Sequence, residues 1–131
     1  MANDARRALG RRGEEIAARH LERSGWTIVT RNYRVREGEI DVIARRDTTL
    51  AFCEVKTLVA RGRNRSGPAN PIEAVGRHKR ARVRNMARIW IAQRAEEGAL
   101  RGTVELRLDV IGVVLSPAGE LVRLEHVEAA F

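Results

Sequence analysis

The chain has 131 residues, 44% hydrophobic, 32% charged and 4% aromatic, with a formal net charge of +8. That length suits one domain, 1–131, with a real core, while apolar runs that are short and broken by Arg or Glu exclude a membrane-spanning helix. The charge-rich opening MANDARRALGRRGEEIAARHL does not read as a secretory signal, so the expectation is a cytoplasmic protein whose strong basicity calls for a polyanionic partner, nucleic acid before membrane.

In chain order, Asp4 to Ser24 reads as a helix with Leu9, Ile16, Ala17, His20 and Leu21 near one side and Gly25 as its stop. WTIVTRNYR follows as a strand, then GEIDVIARR and TLAFCEVKTL as a hairpin around Asp47-Thr48. VARGRNRSGPAN, at about 59–70, reads as a flexible, basic connection. Pro71 opens a helix to about Glu97, closed by Gly98, with an apolar stripe of Ile72, Val75, Val83, Met86 and Trp90. TVELRLDVIGVVL and ELVRLEHVEAAF finish the chain as strands around SPAG. The order is α-β-β-β-α-β-β, an α/β fold in which two main helices cover a mixed sheet.

The hairpin carries the chemistry. With a two-residue turn at Asp47-Thr48, facing residues have numbers summing to 95, which sets Asp41 against Glu54 and Glu39 against Lys56. Alternation then gathers Glu39, Asp41, Glu54 and Lys56 on one face, with Phe52 and Ile43 adjoining. Ile40, Val42, Ala44, Ala51, Cys53 and Val55 form the opposite, core face. Two carboxylates opposed across a sheet need a compensating cation or a shared proton. Lys56 supplies one charge, and a hard divalent cation such as Mg²⁺ is the natural completion. The plain alternative is a solvated face with a Glu39–Lys56 pair.

Asp41, twelve intervening residues and then Glu54-Val55-Lys56 resembles the D…ExK signature of the PD-(D/E)XK nuclease superfamily, with Ile40 where the name expects proline. GEIDVIA followed by EVKT is similar to archaeal Holliday-junction resolvases. The resemblance to the bacterial YraN-like family is closer and covers almost the whole chain, through GRRGEEIAARHL, RNYR, GEIDVIA, EVKT, AVGRHKR, RLDVIGV and EHVEAAF. It implies a restriction-endonuclease-like sheet. It also implies metal ligation by Asp41, Glu54 and the Val55 carbonyl, with Glu14 joining from the first helix directly or through water. Lys56 would orient or help deprotonate the attacking water, or stabilise charge on phosphorus. Glu15, about 100° from Glu14 around the helix, is the weaker candidate.

Of 25 basic residues only Lys56 and Lys79 are lysines. Lys79 falls on the apolar stripe of the second helix and either snorkels or points at the acidic site. Arg77, Arg80, Arg84 and Arg88 make a separate row suited to phosphate contacts, and Arg61, Arg63 and Arg65 sit in the basic connection. His20, His78 and His126 lie on different elements without ligand spacing and read as structural or surface residues. Asp109 reads as a hydrogen-bonding or ion-pairing group, with Arg107 or Arg31 as partner. Trp26, Trp90 and Cys53 read as core. Together these features predict a Mg²⁺- or Mn²⁺-dependent endonuclease acting on DNA, branched or damaged duplex included, with a homodimer conceivable. The alternatives are a non-catalytic nucleic-acid-binding adaptor and an RNA-directed nuclease.

Overall fold

A computed structural model describes residues 2–60, 76–98 and 100–130. Helix α1 (Ala2–Arg23) leads to strands β1 (Thr27–Val35), β2 (Gly38–Arg46) and β3 (Thr49–Val59). Helix α2 (Arg77–Arg94) follows, then β4 (Glu105–Leu115) and β5 (Leu121–Val127). The predicted order holds. The connection expected at about 59–70, with Arg61, Arg63 and Arg65, lies from residue 61 outside the described residues, as do Pro71, Ile72 and Val75. The α-helical hydrogen bonding of α2 ends at Arg94, and a 3₁₀ turn, Ala95–Glu97, carries the chain to left-handed Gly98.

The sheet runs β1-β2-β3-β4-β5. The first three strands form an antiparallel meander, β4 pairs parallel to β3, and β5 returns antiparallel at the edge. A parallel neighbour needs a crossover, which α2 provides. Strand β3 is central and covered on both faces, so Leu50, Ala51, Phe52 and Cys53 are all buried rather than alternating. On one face α1 packs Ala17 and Leu21 against Val42, Ala44, Ala51, Cys53, Ile111 and Val113. On the other, α2 packs Met86, Ala87 and Trp90 against Ile43, Leu50 and Phe52. Trp26, Trp90 and Cys53 are core as expected.

The local signals that shape α1 are legible in its ends. Gly25, at φ 90°, is the left-handed residue of a paired C-terminal cap: Trp26 N–H reaches Leu21 O at 2.9 Å and Gly25 N–H reaches Glu22 O at 3.1 Å. That turn drops Trp26 into the core, where the guanidinium groups of Arg46 and Arg107 lie 4.6 and 5.2 Å from its ring centroid. Near its middle α1 touches β3 through Gly13, where an added Cβ would collide with Thr57 Oγ1 and stand 2.9 Å from Thr57 Cβ. Only a glycine permits that approach.

One expectation is corrected. Ile40 does not share the face of Val42; it packs with Ile43 and Phe52 under α2, because β2 loses its strict alternation at Asp41. The structural reading of His20 and His126 holds, since His20 Nε2 lies 3.3 Å from His126 Nδ1. His126 Nε2 in turn stands 2.8 Å from Asp109 Oδ2. Asp109, fully buried, also accepts from Arg107 Nη2 at 2.8 Å, Arg107 Nε at 3.2 Å and Ala129 N–H at 2.9 Å. Burial raises its carboxyl, but the bonds from His126, Arg107 and Ala129 outweigh that and hold it below the ordinary range. Arg107 is thus the partner of Asp109, while Arg31 pairs with Glu15. The cluster ties α1, β4 and β5 together.

The tight contact at Gly13 makes a prediction. Gly13→Ala overpacks the interface and should lower unfolding free energy by roughly 1–3 kcal/mol, despite alanine's better helix propensity. Thr57→Ala in the same chain should recover most of the loss in urea titrations; equal losses with and without it would refute the contact.

Candidate active site

The hairpin register is the one the turn length dictates. Asp47, at φ 53°, adopts the left-handed conformation that aspartate tolerates better than most residues. Pairs from Arg46↔Thr49 to Val42↔Cys53 then follow the sum of 95. There the ladder stops. Instead of a cross-strand backbone bond, Asp41 Oδ2 accepts the Val55 N–H at 2.8 Å. The carboxylate has swung into the plane of the sheet, between strands that part beyond it. A strand residue's N–H and C=O project to the same edge, so the Val55 carbonyl faces the same opening.

Asp41 and Glu54 are 6% and 2% exposed, so both carboxylates are desolvated side by side. Burial raises the Asp41 carboxyl above its ordinary range, against the pull of the Val55 N–H. Burial, and then the charge of Asp41, pushes Glu54 up to about 7. Lys79 answers this pair. It reaches across from α2 to place Nζ 2.7 Å from Glu54 Oε1, with half its side chain exposed. Its pKa is raised: burial opposes protonation, but Glu54 and Asp41 outweigh it.

Glu14, rather than Glu15, is turned toward the pair. Burial first, then the charges of Asp41 and Glu39, raises its carboxyl. Glu15 is spent on Arg19 at 3.2 Å and Arg31 at 3.0 Å. Lys56 is partly buried and makes no ion pair among the described residues. Glu39 does not pair with it. Its register partner on β1 is Arg34, which it binds at 2.8 Å on an exposed surface. The α2 arginines divide: Arg84 and Arg88 line a 250 Å³ cleft with Phe52, Leu106 and Leu108, away from the acidic pair. Arg80 is partly buried, and the side chain of Arg77 lies outside the described residues. A 420 Å³ cleft beside the acidic pair is lined by Arg34, Gly38, Glu39, Lys79, Arg82 and Val83. Arg34 and Arg82 were not singled out from the sequence, though the signals exist. Arg34 is opposite Glu39 once β1 and β2 pair, and Arg82 is one helical step, i+3, from Lys79.

The donor set suits a hard cation. Two buried carboxylates and a carbonyl directed at one opening present oxygen ligands, and burial is the main cause that raises both carboxyls. Among the described residues no three His, Cys, Asp or Glu side chains gather closely enough to hold a metal ion, so Glu14 does not join Asp41 and Glu54 as a third carboxylate ligand. Any cation here would therefore draw on the carbonyl and on water, and would compete with the Lys79 ammonium for Glu54.

The profile of the uncharacterised protein family UPF0102 matches residues 13–113. A UPF0102 protein of Frankia alni is 44% identical over 131 residues, covering 100% of both chains. One from Nocardia farcinica is 42% identical over 126 residues, spanning 96% of this chain and 91% of its own. Another, from Streptomyces griseus, is 43% identical over 116 residues, spanning 88% and 90%.

The buried pair should set the pH dependence of stability. The unfolded Glu54 carboxyl ionises near 4.5 and the folded one near 7. Between those values the folded state holds the extra proton, so stability falls as pH rises and levels off above about 7. Glu54→Gln should flatten that slope and raise the melting temperature at pH 8 relative to wild type. A wild-type melting temperature that climbs between pH 5 and 7, with Glu54→Gln removing the climb, would reverse the assignment.

Proposed function

The chain belongs to the uncharacterised protein family UPF0102, and on that premise we propose that it is a metal-dependent phosphodiesterase that cuts nucleic acid, with DNA the favoured substrate. One observation carries the reading: the carboxylates of Asp41 and Glu54 are buried together at the opening between β2 and β3, beside a cleft edged with Arg34, Lys79 and Arg82. The +8 charge of the chain supports a polyanionic substrate.

The residues divide the work. Asp41, Glu54 and the Val55 carbonyl would hold Mg²⁺ or Mn²⁺, with Glu14 approaching from α1. When bound, such an ion supplies Lewis-acid charge to the phosphoryl oxygens and makes water a better nucleophile. The Lys56 ammonium, without an ion-pair partner among the described residues, orients the attacking water or balances charge that develops on the phosphoryl group. Lys79 neutralises Glu54 and would be displaced from it by a cation held at the pair. It lies in the cleft wall, so on release it faces the space a phosphate would fill.

The Lys79–Glu54 ion pair also supports a second reading, a nucleic-acid-binding protein that keeps the acidic pair neutralised by its own lysine and does not cut. A cleavage panel of linear duplex, flap and four-way-junction DNA with matched RNA strands separates the two. Wild type with Mg²⁺ or Mn²⁺ should cut, and Asp41→Ala or Glu54→Ala should lower the rate by about 10³-fold or more. Salt-sensitive binding with no metal-dependent, mutant-sensitive cutting would leave the second reading standing, and preferential cutting of the RNA strands would change the substrate. Metal affinity has its own readout. Mn²⁺ at a hundred times its Kd should stabilise wild type by about 2.7 kcal/mol, and Asp41→Asn/Glu54→Gln should abolish that shift in thermal melts.

A further inference from the structure

Helix α1 does more than deliver Glu14. Arg7, Gly10, Arg11 and Glu14 recur at i, i+3, i+4 and i+7, so they share one face of the helix. Together with Arg34 they line a cleft of about 570 Å³. Arg34 also lines the cleft that holds Glu39, Lys79 and Arg82. The two spaces therefore meet at one arginine, with Glu14 on the α1 side and Lys79 on the α2 side of the acidic pair. Arg7 and Arg11 are exposed, and neither makes an ion pair among the described residues.

Gly10 sits between these arginines and needs explaining. A glycine inside a helix is destabilising relative to alanine. Gly10 is not held there by conformation, since its φ is not positive. Nor is it held by packing, since an added Cβ would meet nothing within 4 Å. It differs in this from Gly13, one turn on, whose Cβ would strike Thr57. What the missing side chain at Gly10 does is keep the floor between two guanidinium groups bare.

We propose that Arg7, Gly10 and Arg11 form a phosphate-binding furrow that leads a nucleic-acid backbone along α1 to the acidic pair. The two guanidinium groups grip non-bridging phosphate oxygens on either side of a strip of bare helix, and Arg34 passes the backbone to the cleft of Lys79 and Arg82. Guanidinium forks match phosphate geometry and stay charged at any working pH. Contacts of this kind position the substrate without reading its sequence. The furrow rests on the nucleic-acid reading above and assigns α1 as the element that sets how the substrate enters.

The test is binding of a fluorescent DNA duplex and a matched single strand by full-length protein in EDTA, as anisotropy across a salt series. Arg7→Gln/Arg11→Gln should make the plot of log affinity against log salt shallower by about 1.8, two phosphate contacts' worth. Arg23→Gln/Arg101→Gln, which removes equal charge elsewhere, should leave the slope unchanged. Gly10→Ala should melt at the same temperature as wild type or higher and bind more weakly than wild type. Gly10→Leu should melt like Gly10→Ala yet bind at least about tenfold more weakly, a loss of about 1.4 kcal/mol. Equal slope changes in the two double variants, or wild-type binding by Gly10→Leu, would overturn the furrow while leaving the nucleic-acid reading intact. So would Arg7→Gln/Arg11→Gln releasing the protein from phosphatidylserine vesicles but not from DNA. Failure of the wild-type protein to bind any nucleic acid at low salt would overturn both.

Discussion

Everything at this site depends on one substitution in a hydrogen-bond ladder: a carboxylate takes a backbone N–H that a neighbouring strand would otherwise take. The Asp41–Val55 bond ends the pairing of β2 and β3 at Val42–Cys53 and lets the strands part. It also holds Asp41 in the sheet plane, where it meets Glu54 instead of solvent. Without it, β2 would continue in register and Asp41 would project from a sheet face. The bond satisfies the Val55 donor, so opening the ladder costs no orphaned N–H at that position. What remains uncompensated is charge, and charge is what the lysines, the arginines and a divalent cation are suited to supply.

Positions governed by local chemistry were readable in advance. The turn at Asp47-Thr48 fixed the register because an antiparallel hairpin admits little freedom once its loop length is known. Gly25 and Gly98 marked helix ends for the same kind of reason. The resemblance of GRRGEE pointed to Glu14, and helical geometry lets only one of Glu14 and Glu15 face inward. Ile40 was not readable. The alternation that assigned its face presumes a regular strand, and β2 is irregular at the residue that carries the chemistry. Glu39 went to Arg34 because β1, not β3, is its neighbour after the strands part. Tertiary placement decided the histidines: His20 and His126 stand 106 positions apart, and no spacing rule joins a helix near one end of the chain to an edge strand near the other.

Lys79 shows how charge economy organises the site. A chain that otherwise uses arginine keeps a lysine, Lys79, against the acidic pair, and the difference matters physically. A guanidinium is planar, delocalised and fixed in its fork. An ammonium is compact, and its stem lets it approach a buried oxygen and withdraw. Lys79 reaches Glu54 from a partly exposed stem, a geometry a bulkier arginine would not reproduce in the same space. The arginines line the clefts, where their charge is permanent and their donor face flat.

The parallel pairing of β3 with β4 has a consequence for how the protein is made. β3 is joined to β2 by two residues, but its other neighbour begins at Glu105, well after the crossover through α2. On the ribosome the hairpin with Asp41 and Glu54 emerges first, and only hydrophobic burial against β4 completes its surroundings. Non-local strand pairing of this kind is slow because a long loop must close before contacts reward it. Until the last quarter of the chain has been synthesised, Glu54 lacks the β4 neighbour Val110 that helps to exclude water from it. Its carboxyl in the nascent chain is then closer to that of an ordinary solvated glutamate. The chemistry of the site is therefore acquired late in synthesis, so a truncated chain that retains the whole D…ExK sequence would still lack the desolvated pair.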